Sequence, residues 1–172
     1  MGKEFVVVAE ELTAEGMAGY GQAILSPVGA APRSGVNWDC WFGVGTLIRA
    51  QPLVGIVKTR PAGGLVPKME RHPTTEFLIP ISGPVIQPLG RPGNFDDHAE
   101  DPDPATVRAF IVRPGQALIM APATWHWAAI PLHDEEVLYY FITEPHELEP
   151  GRGPDLMLPF KNGDSVRVVL PD

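Results

Sequence analysis

Cysteine, basic residues and long apolar runs are scarce in this sequence, and each shortage excludes a class of protein. The 172 residues include one cysteine, so the chain cannot be built on an internal disulfide framework. Lysine and arginine number 13 against 21 acidic residues, and the formal net charge of −8 argues against a nucleic-acid-binding surface. The N-terminal residues resemble neither a signal peptide nor a membrane span, so we expect a cytoplasmic protein without a membrane partner.

Glycine and proline, by contrast, are abundant and spread along the chain. There are 18 glycines and 20 prolines, and they divide the sequence into many short elements, which favours strands and turns over long helices. We therefore predict one all-β domain spanning residues 1–172, with one or two short helices, the first beginning at Thr13. Segments rich in β-branched and aromatic residues predict strands at 6–9, 53–58, 76–82, 106–113, 117–120, 137–143 and 166–170.

The least regular part of the sequence is an acidic segment, residues 88–104. Its acidic side chains are Asp96, Asp97, Glu100, Asp101 and Asp103. This composition is typical of a solvated surface loop. A mobile lid or a cation site is the alternative, because long loops on compact domains are often functional and acidic clusters bind hard cations where the backbone brings them together.

Two segments of the chain combine histidine with carboxylate. In the first, Glu70, His72 and Glu76 share parity, so that wherever the chain is extended they face the same side. The second is an apolar run followed by a short turn that ends at His126. Imidazole and carboxylate groups delivered from two strands into the mouth of one barrel are suitable ligands for Mn, Fe, Ni or Zn. We predict a divalent metal site formed by His72, Glu76 and His126.

The spacing within both segments resembles the sequence motifs of the cupins. The positions of the first motif are filled by Gly64, Glu70, His72, Glu76 and Gly83. Glu70 stands where the motif usually has its first histidine. The distance from Gly115 to His126 matches the second motif, although the proline, second glycine and asparagine of that motif are missing. The resemblance implies a small cupin-like β-barrel, that is, a double-stranded β-helix or jelly roll.

Several short stretches resemble the ureidoglycolate lyase family, formerly called ureidoglycolate hydrolase, which has a cupin fold. They are Met69-Glu70-Arg71-His72-Pro73, Phe77-x-Ile79-Pro80, Thr106-x-Arg108-Ala109-Phe110-Ile111 and Trp125-His126. The resemblance runs from about residue 53 to 141. It implies a carbon–nitrogen lyase that cleaves ureidoglycolate to glyoxylate and urea in purine and allantoin breakdown. Members of the family are typically homodimers, so the resemblance also implies a homodimer. Two departures leave the substrate open: Glu76 where the family carries glutamine, and Trp127-Ala128 where it carries His-Pro.

The reaction that the resemblance implies suggests roles for individual side chains. A base removes the 2-hydroxyl proton, the C–N bond breaks, and urea leaves after protonation. A metal held by the predicted ligands would lower the pKa of that hydroxyl group. We assign catalysis to Glu70, His72 and His126, with Glu70 as the acid–base partner.

A small carboxylate substrate also needs cationic or hydrogen-bonding partners. We predict substrate contacts from Lys58, Arg60, Arg108 and Tyr140. Lys58 is the strongest of the cations, because the resemblance has a basic residue there. Tyr139 and Tyr140 alternate along a strand, so that one of the two points into the barrel.

Three other functions remain open from the sequence. One is a different metal-dependent cupin enzyme, such as an isomerase, a dioxygenase or another lyase, which the acid at Glu76 favours. The second is a metal-free module that binds a small ligand. The third is a structural dimer with a vestigial pocket.

Overall fold

The computed structural model describes residues 2–25, 29–31, 33–34, 39–40, 52–97, 99–144 and 156–171. Within these ranges the chain forms sixteen strands and two short 3₁₀ helices, Pro104–Thr106 and Lys161–Gly163. The strands are β1 (Glu4–Glu11), β2 (Gly21–Ile24), β3 (Arg33–Ser34), β4 (Asp39–Cys40), β5 (Leu53–Thr59), β6 (Leu65–Val66), β7 (Lys68–Arg71), β8 (Glu76–Pro80), β9 (Val85–Pro92), β10 (Arg108–Val112), β11 (Ala117–Met120), β12 (Thr124–His126), β13 (Ile130–Pro131), β14 (Val137–Thr143), β15 (Leu156–Pro159) and β16 (Ser165–Val169).

Two large sheets contain nearly all of these strands. The first has nine strands, in the order β15-β7-β12-β9-β10-β1-β16-β6, with β13 also paired to β9. The second has five strands, in the order β2-β11-β8-β14-β5, and β3 pairs with β4 in a separate ribbon. The pairing is antiparallel except where β1 lies parallel to both β10 and β16. The all-β fold predicted from the sequence is confirmed.

The apolar core lies on both faces of the nine-stranded sheet. Phe110 and Val112 of β10 face the five-stranded sheet, where they pack with Leu78 and Leu118. The alternate residues of β10, Ala109 and Ile111, belong to a second cluster on the other face, together with side chains from β1, β7, β12 and β16. Because both faces of β9 and β10 are covered, residues 85–90 and 109–112 are buried in succession rather than alternately. The space between the two sheets is where the candidate site lies.

The chain after β1 differs from the sequence prediction. Residues 14–20 form consecutive turns rather than a regular helix, although the Thr13 hydroxyl accepts a hydrogen bond from the Gly16 N–H at 2.9 Å, as a helix-capping residue would. Gly19 and Gly21 both have positive φ, which a helix cannot contain. No helix among the described residues is long and apolar enough to cross a membrane.

Candidate active site

The candidate site is a cavity of about 420 Å³ between the two sheets. Strands β7 and β12 of the nine-stranded sheet form one side of it, and β8, β14 and β5 of the five-stranded sheet form the other. Its described lining residues are Leu53, Val57, Glu70, His72, Glu76, Leu78, Gln87, His126, Trp127, Ala128, Tyr139, Phe141 and Thr143. The two histidine-containing segments found in the sequence therefore meet in one pocket.

Three of the predicted site residues form one compact group. Along β7 the buried Met69 and Arg71 alternate with Glu70, so the Glu70 carboxylate faces the pocket. Glu70 pairs with His126 across the β7–β12 ladder, and its Oε1 lies 3.7 Å from His126 Nε2. The rings of His72 and His126 lie 4.9 Å apart, and one ligand atom from each of Glu70, His72 and His126 lies within 4.8 Å of the others. The predicted shared face of Glu70 and His72 is therefore present.

A tight turn holds the two histidine segments together. Ala123 has a φ of 60°, in the left-handed region that glycine normally supplies, and its N–H donates to the carbonyl of His72 at 2.7 Å. This bond ties the end of β7 to the start of β12. The turn therefore sets the position of His126 relative to His72, even though the glycine of the second cupin motif is missing.

A single hydrogen bond determines the orientation and tautomer of His126. Its Nδ1 lies 2.9 Å from the carbonyl oxygen of Thr124. A carbonyl oxygen can only accept, so Nδ1 carries a proton, and in the neutral imidazole Nε2 holds the lone pair on the side of Glu70 and His72. Metal-ligating histidines are typically fixed in this way, with the second ring nitrogen bonded to a backbone carbonyl or a carboxylate.

Glu76 lies beside this group and comes from the other sheet. It is the first residue of β8, and its Oε2 is 3.4 Å from His72 Nε2. The side chains of His72 and Glu76 are 10% and 14% exposed, so their contact is largely screened from solvent. The predicted metal set of His72, Glu76 and His126 is thus present in one pocket, but the tightest group contains Glu70 instead of Glu76.

The donor set fits a divalent metal ion, as the spacing of the two segments predicts. Two imidazoles and a carboxylate suit Mn, Fe, Ni and Zn. The described lining residues include two carboxylates, Glu70 and Glu76, and neither lysine nor arginine. A divalent cation would balance this local negative charge, which would otherwise repel an anionic substrate.

The three predicted cations of the substrate clamp point elsewhere. Lys58 and Arg60 both pair with Glu136 at the surface, at 3.5 and 2.7 Å. Arg108 makes a two-pronged pair with Glu10, at 2.8 and 2.6 Å. Strand alternation explains why Lys58 points away from the pocket: its neighbour Val57 faces the pocket, so Lys58 lies on the opposite face of β5. Among the described residues, the predicted carboxylate clamp is not assembled.

Of the two adjacent tyrosines, Tyr139 lines the pocket and Tyr140 does not. Tyr139 is 6% exposed, whereas Tyr140 is 43% exposed and lies on the outer face of β14. Alternation predicts that one of the two tyrosines faces the pocket, and that residue is Tyr139 rather than the predicted substrate contact Tyr140. Burial raises the pKa of Tyr139 to about 12, with further increases from the Glu76 and Glu70 carboxylates, partly offset by a hydrogen bond with the backbone of Ala129. The hydroxyl therefore keeps its proton at neutral pH.

Other pocket residues escaped the sequence prediction. Phe141 and Thr143 follow Tyr139 on the inner face of β14, so correct phasing of that strand would have identified them. Gln87 is 1% exposed and its amide donates to the carbonyl of Trp127 at 2.6 Å. A glutamine among the apolar residues at the start of β9 could have indicated a site residue, because a buried polar side chain needs hydrogen-bond partners. Trp127 packs against the second core cluster and also lines the pocket.

Comparison with known proteins gives a family match and distant structural similarity. Residues 4–156 match the family model described as ureidoglycolate lyase. No curated protein sequence matches the chain.

Among solved structures, the oxalate decarboxylase of Lactobacillus farciminis in its formate complex shares 16% identity over 55% of this chain and 24% of its own, with a TM-score of 0.41. The Bacillus subtilis oxalate decarboxylase, in a structure concerned with its Mn(II) centres, shares 20% identity over 57% of this chain and 23% of its own, also with a TM-score of 0.41. The chain thus aligns with about a quarter of the length of these proteins.

Proposed function

Because the chain belongs to the ureidoglycolate lyase family, we propose that it is an enzyme that cleaves the carbon–nitrogen bond of ureidoglycolate and releases glyoxylate and urea. The observation that carries this proposal is the convergence of ligand atoms from Glu70, His72 and His126 within 4.8 Å of one another on the wall of one pocket. Carboxylate and imidazole are the side chains best suited to move a proton from an oxygen to a nitrogen at neutral pH.

We assign Glu70, His72 and His126 as the ligands of a divalent cation. In a departure from the family, which carries glutamine near this position, we assign Glu76 as the carboxylate that exchanges protons with the substrate. This exchanges the roles that the sequence suggested for the two glutamates. The ligand atoms of Glu70 and the two histidines form one group, whereas Glu76 contacts His72 from the neighbouring sheet. When bound, the cation would offset the charge of the substrate's carboxylate and lower the pKa of its 2-hydroxyl group.

In the proposed reaction the Glu76 carboxylate accepts the proton of the 2-hydroxyl group. The electron pair of that O–H bond forms the C=O bond of glyoxylate, and the electron pair of the C–N bond leaves with the urea nitrogen. Glu76 then returns the proton to this nitrogen. The atoms and electrons of this reaction balance without water and without a covalent intermediate. This agrees with a pocket whose described lining residues include no serine or cysteine.

Tyr139 is the side chain that we assign to substrate orientation. Its protonated hydroxyl lies in the pocket near Glu70 and Glu76, at the end of a buried side chain. A hydroxyl that stays protonated donates a hydrogen bond to an anionic oxygen, and such charge-assisted bonds are stronger than neutral ones. We propose that it donates to the substrate's carboxylate, in place of the cationic clamp expected from the sequence.

Further properties are proposed from the sequence and from the family resemblance. They are a single domain spanning residues 1–172, a homodimer in solution, a cytoplasmic location and a place in allantoin and purine breakdown. Sedimentation equilibrium of the purified chain measures the second of these directly.

The experiment that tests the proposed function is glyoxylate release from ureidoglycolate by the purified protein, measured with and without added Mn²⁺ or Ni²⁺ and corrected for spontaneous decay. We expect metal-stimulated release that is abolished in His126→Ala. Release that metal ions do not change would retain the lyase and remove the metal from the mechanism. No release above the spontaneous rate under any condition would reject the proposed reaction.

A further inference from the structure

The pocket has an apolar wall that the proposed reaction does not use. Glu70, Glu76, His72 and His126 come from β7, β8, β12 and the residue that follows β7, and Tyr139 comes from β14. The apolar wall is formed by Leu53 and Val57 of β5 together with Phe141 of β14. Leu53 is 53% exposed, so this wall continues from the interior to the mouth of the pocket. One side of the cavity is thus polar and the side towards the edge strand β5 is hydrocarbon.

The apolar wall depends on a specific packing arrangement of two residues. Phe141 pairs with Gly55 across the β14–β5 ladder. A Cβ atom at position 55 would overlap the Phe141 ring, so the absence of a side chain there is what lets the ring lie against the β5 backbone. Glycine in a strand interior weakens the strand and often marks a close approach of this kind. Gly55 therefore keeps the ring out of the cavity and leaves its volume open.

Ureidoglycolate by itself matches this wall poorly. Its carboxylate, hydroxyl and urea groups are all polar, and a urea end held against Leu53, Val57 and Phe141 would lose water without gaining hydrogen-bond partners there. The molecule is also small for a cavity of about 420 Å³, a volume typical of sites for considerably larger ligands. An apolar substituent at the urea end would fill the space and bury hydrocarbon against hydrocarbon.

We propose that the preferred substrates are ureidoglycolate derivatives whose terminal urea nitrogen carries an apolar substituent, which packs against Leu53, Val57 and Phe141. This inference rests on the proposed function and extends it to a substrate class. The bond changes are the same: the 2-hydroxyl proton is transferred to the departing nitrogen, the C–N bond breaks, and the products are glyoxylate and an N-substituted urea. Because glyoxylate is common to all members of the class, one assay compares them.

The test measures kcat/KM for ureidoglycolate and for its terminal N-methyl, N-ethyl, N-propyl and N-butyl derivatives. Each methylene that is buried on binding strengthens the interaction by about 0.8 kcal/mol, so we expect kcat/KM to rise about three- to fourfold per added carbon until the cavity is filled. A series that is flat or falls with chain length, while ureidoglycolate itself is cleaved, would reject the apolar substrate class and leave the proposed function standing. Absence of glyoxylate from every member would reject both.

A pair of neighbouring variants determines whether β5 causes the trend. Val57→Thr replaces a pocket methyl group with a hydroxyl group at nearly constant volume, and Ile56→Thr places the same residue on the outer face of the strand, where Ile56 is 56% exposed. We expect the increase with chain length to become shallower in Val57→Thr and to persist in Ile56→Thr, with unchanged turnover of ureidoglycolate in the latter. A trend that persists equally in both variants would contradict the assignment of the substituent to this wall. Gly55→Ala, which pushes Phe141 into the cavity, should penalise the butyl derivative most.

Discussion

The imidazole of His126 gains its chemical role from one backbone carbonyl. The Thr124 carbonyl oxygen accepts a hydrogen bond from Nδ1–H at 2.9 Å, so in the neutral imidazole the nitrogen that faces Glu70 is the one with a free electron pair. Glu70 and Glu76 approach different parts of the histidine pair: Glu70 lies 3.7 Å from His126 Nε2, and Glu76 lies 3.4 Å from His72 Nε2. At this scale the two carboxylates are distinct, and each can be tested separately.

Glu70→Gln and Glu76→Gln separate metal binding from proton transfer. Both substitutions preserve shape and remove the negative charge. If Glu70 is a ligand, Glu70→Gln should lower the affinity for Mn²⁺ roughly tenfold to a hundredfold. A loss of this size is typical when the hydrogen-bond partners of metal ligands are removed. Glu76→Gln should bind the metal as the unsubstituted protein does and lose turnover about a hundredfold or more. The measurements are metal content after dialysis and the rate of glyoxylate release, and the opposite pattern would restore the assignment made from the sequence.

Tyr139→Phe and Tyr140→Phe are a matched pair on one strand. Removal of a hydrogen bond to a charged group costs about 1.5–3 kcal/mol, so Tyr139→Phe should lower kcat/KM about tenfold to a hundredfold. The Tyr140 hydroxyl lies on the outer face of β14, and its removal should change kcat/KM by less than about twofold at unchanged Tm. Steady-state kinetics on both variants shows which of the two hydroxyl groups contacts the substrate. A loss confined to Tyr140→Phe would support Tyr140, the contact predicted from the sequence.

At the scale of elements, the acidic segment after β9 is anchored to β7 rather than simply solvated. Arg71 is fully buried, and its guanidinium donates to Glu100 Oε2 at 2.5 Å and to the carbonyl of Asp97 at 2.7 Å. The guanidinium also stacks over Trp125, 4.4 Å from the ring centre. Gly93 has no side chain where Arg71 and Glu100 meet, and a Cβ there would overlap both. Because Arg71 lies between Glu70 and His72, this anchor stabilises the strand that carries the site.

Removal of the partner of a buried charge should therefore destabilise the fold far more than removal of an exposed one. Glu100→Ala leaves the Arg71 charge buried, and we expect a loss of about 3–5 kcal/mol in the free energy of unfolding. Glu11→Ala, which removes the partner of the exposed Arg113, should cost about 0–1 kcal/mol. Urea denaturation of both variants measures these values, and equal small losses would mean that water reaches Arg71 and that the segment does not anchor β7.

At the scale of the whole molecule, the site depends on the two sheets facing each other. Glu70, His72 and His126 come from the nine-stranded sheet and the segment that follows β7, whereas Glu76, Tyr139 and Phe141 come from the five-stranded sheet. The unfolded chain has no such arrangement. A ligand that binds only the folded state shifts the folding equilibrium towards it.

Metal binding should consequently raise the thermal stability of the molecule. At a Mn²⁺ concentration of about one hundred times Kd, the stabilisation is about 2.7 kcal/mol. For a chain of this size that corresponds to a rise in Tm of about 5–10 °C. Differential scanning calorimetry with and without Mn²⁺ measures this shift, and His126→Ala should not show it. An equal shift in His126→Ala would locate the bound metal at a different site.

Period-two alternation accounts for most of what the sequence predicted correctly. Seven segments rich in β-branched and aromatic residues were identified, and the shared face of Glu70 and His72 follows from a side-chain period that every strand obeys. The short helix at Thr13 was not predicted correctly: the Thr13 hydroxyl accepts the expected capping bond, but residues 14–20 form consecutive turns and the backbone leaves helical geometry at Gly19 and Gly21. Alternation along β14 requires either Tyr139 or Tyr140 to face the pocket, but the sequence pattern does not determine which of the two does.

The amino-acid sequence by itself determined the all-β class, the family and the two segments that bring histidine and carboxylate together, because strand alternation and motif spacing are local properties of the chain. Only the tertiary structure decided that Glu70 joins the histidine pair more closely than Glu76, that Lys58, Arg60 and Arg108 pair with surface acids, and that β5 and β14 add an apolar wall. These outcomes depend on how strands far apart in the chain are registered and curled against each other. Such contacts arise from long-range packing, which no local pattern encodes.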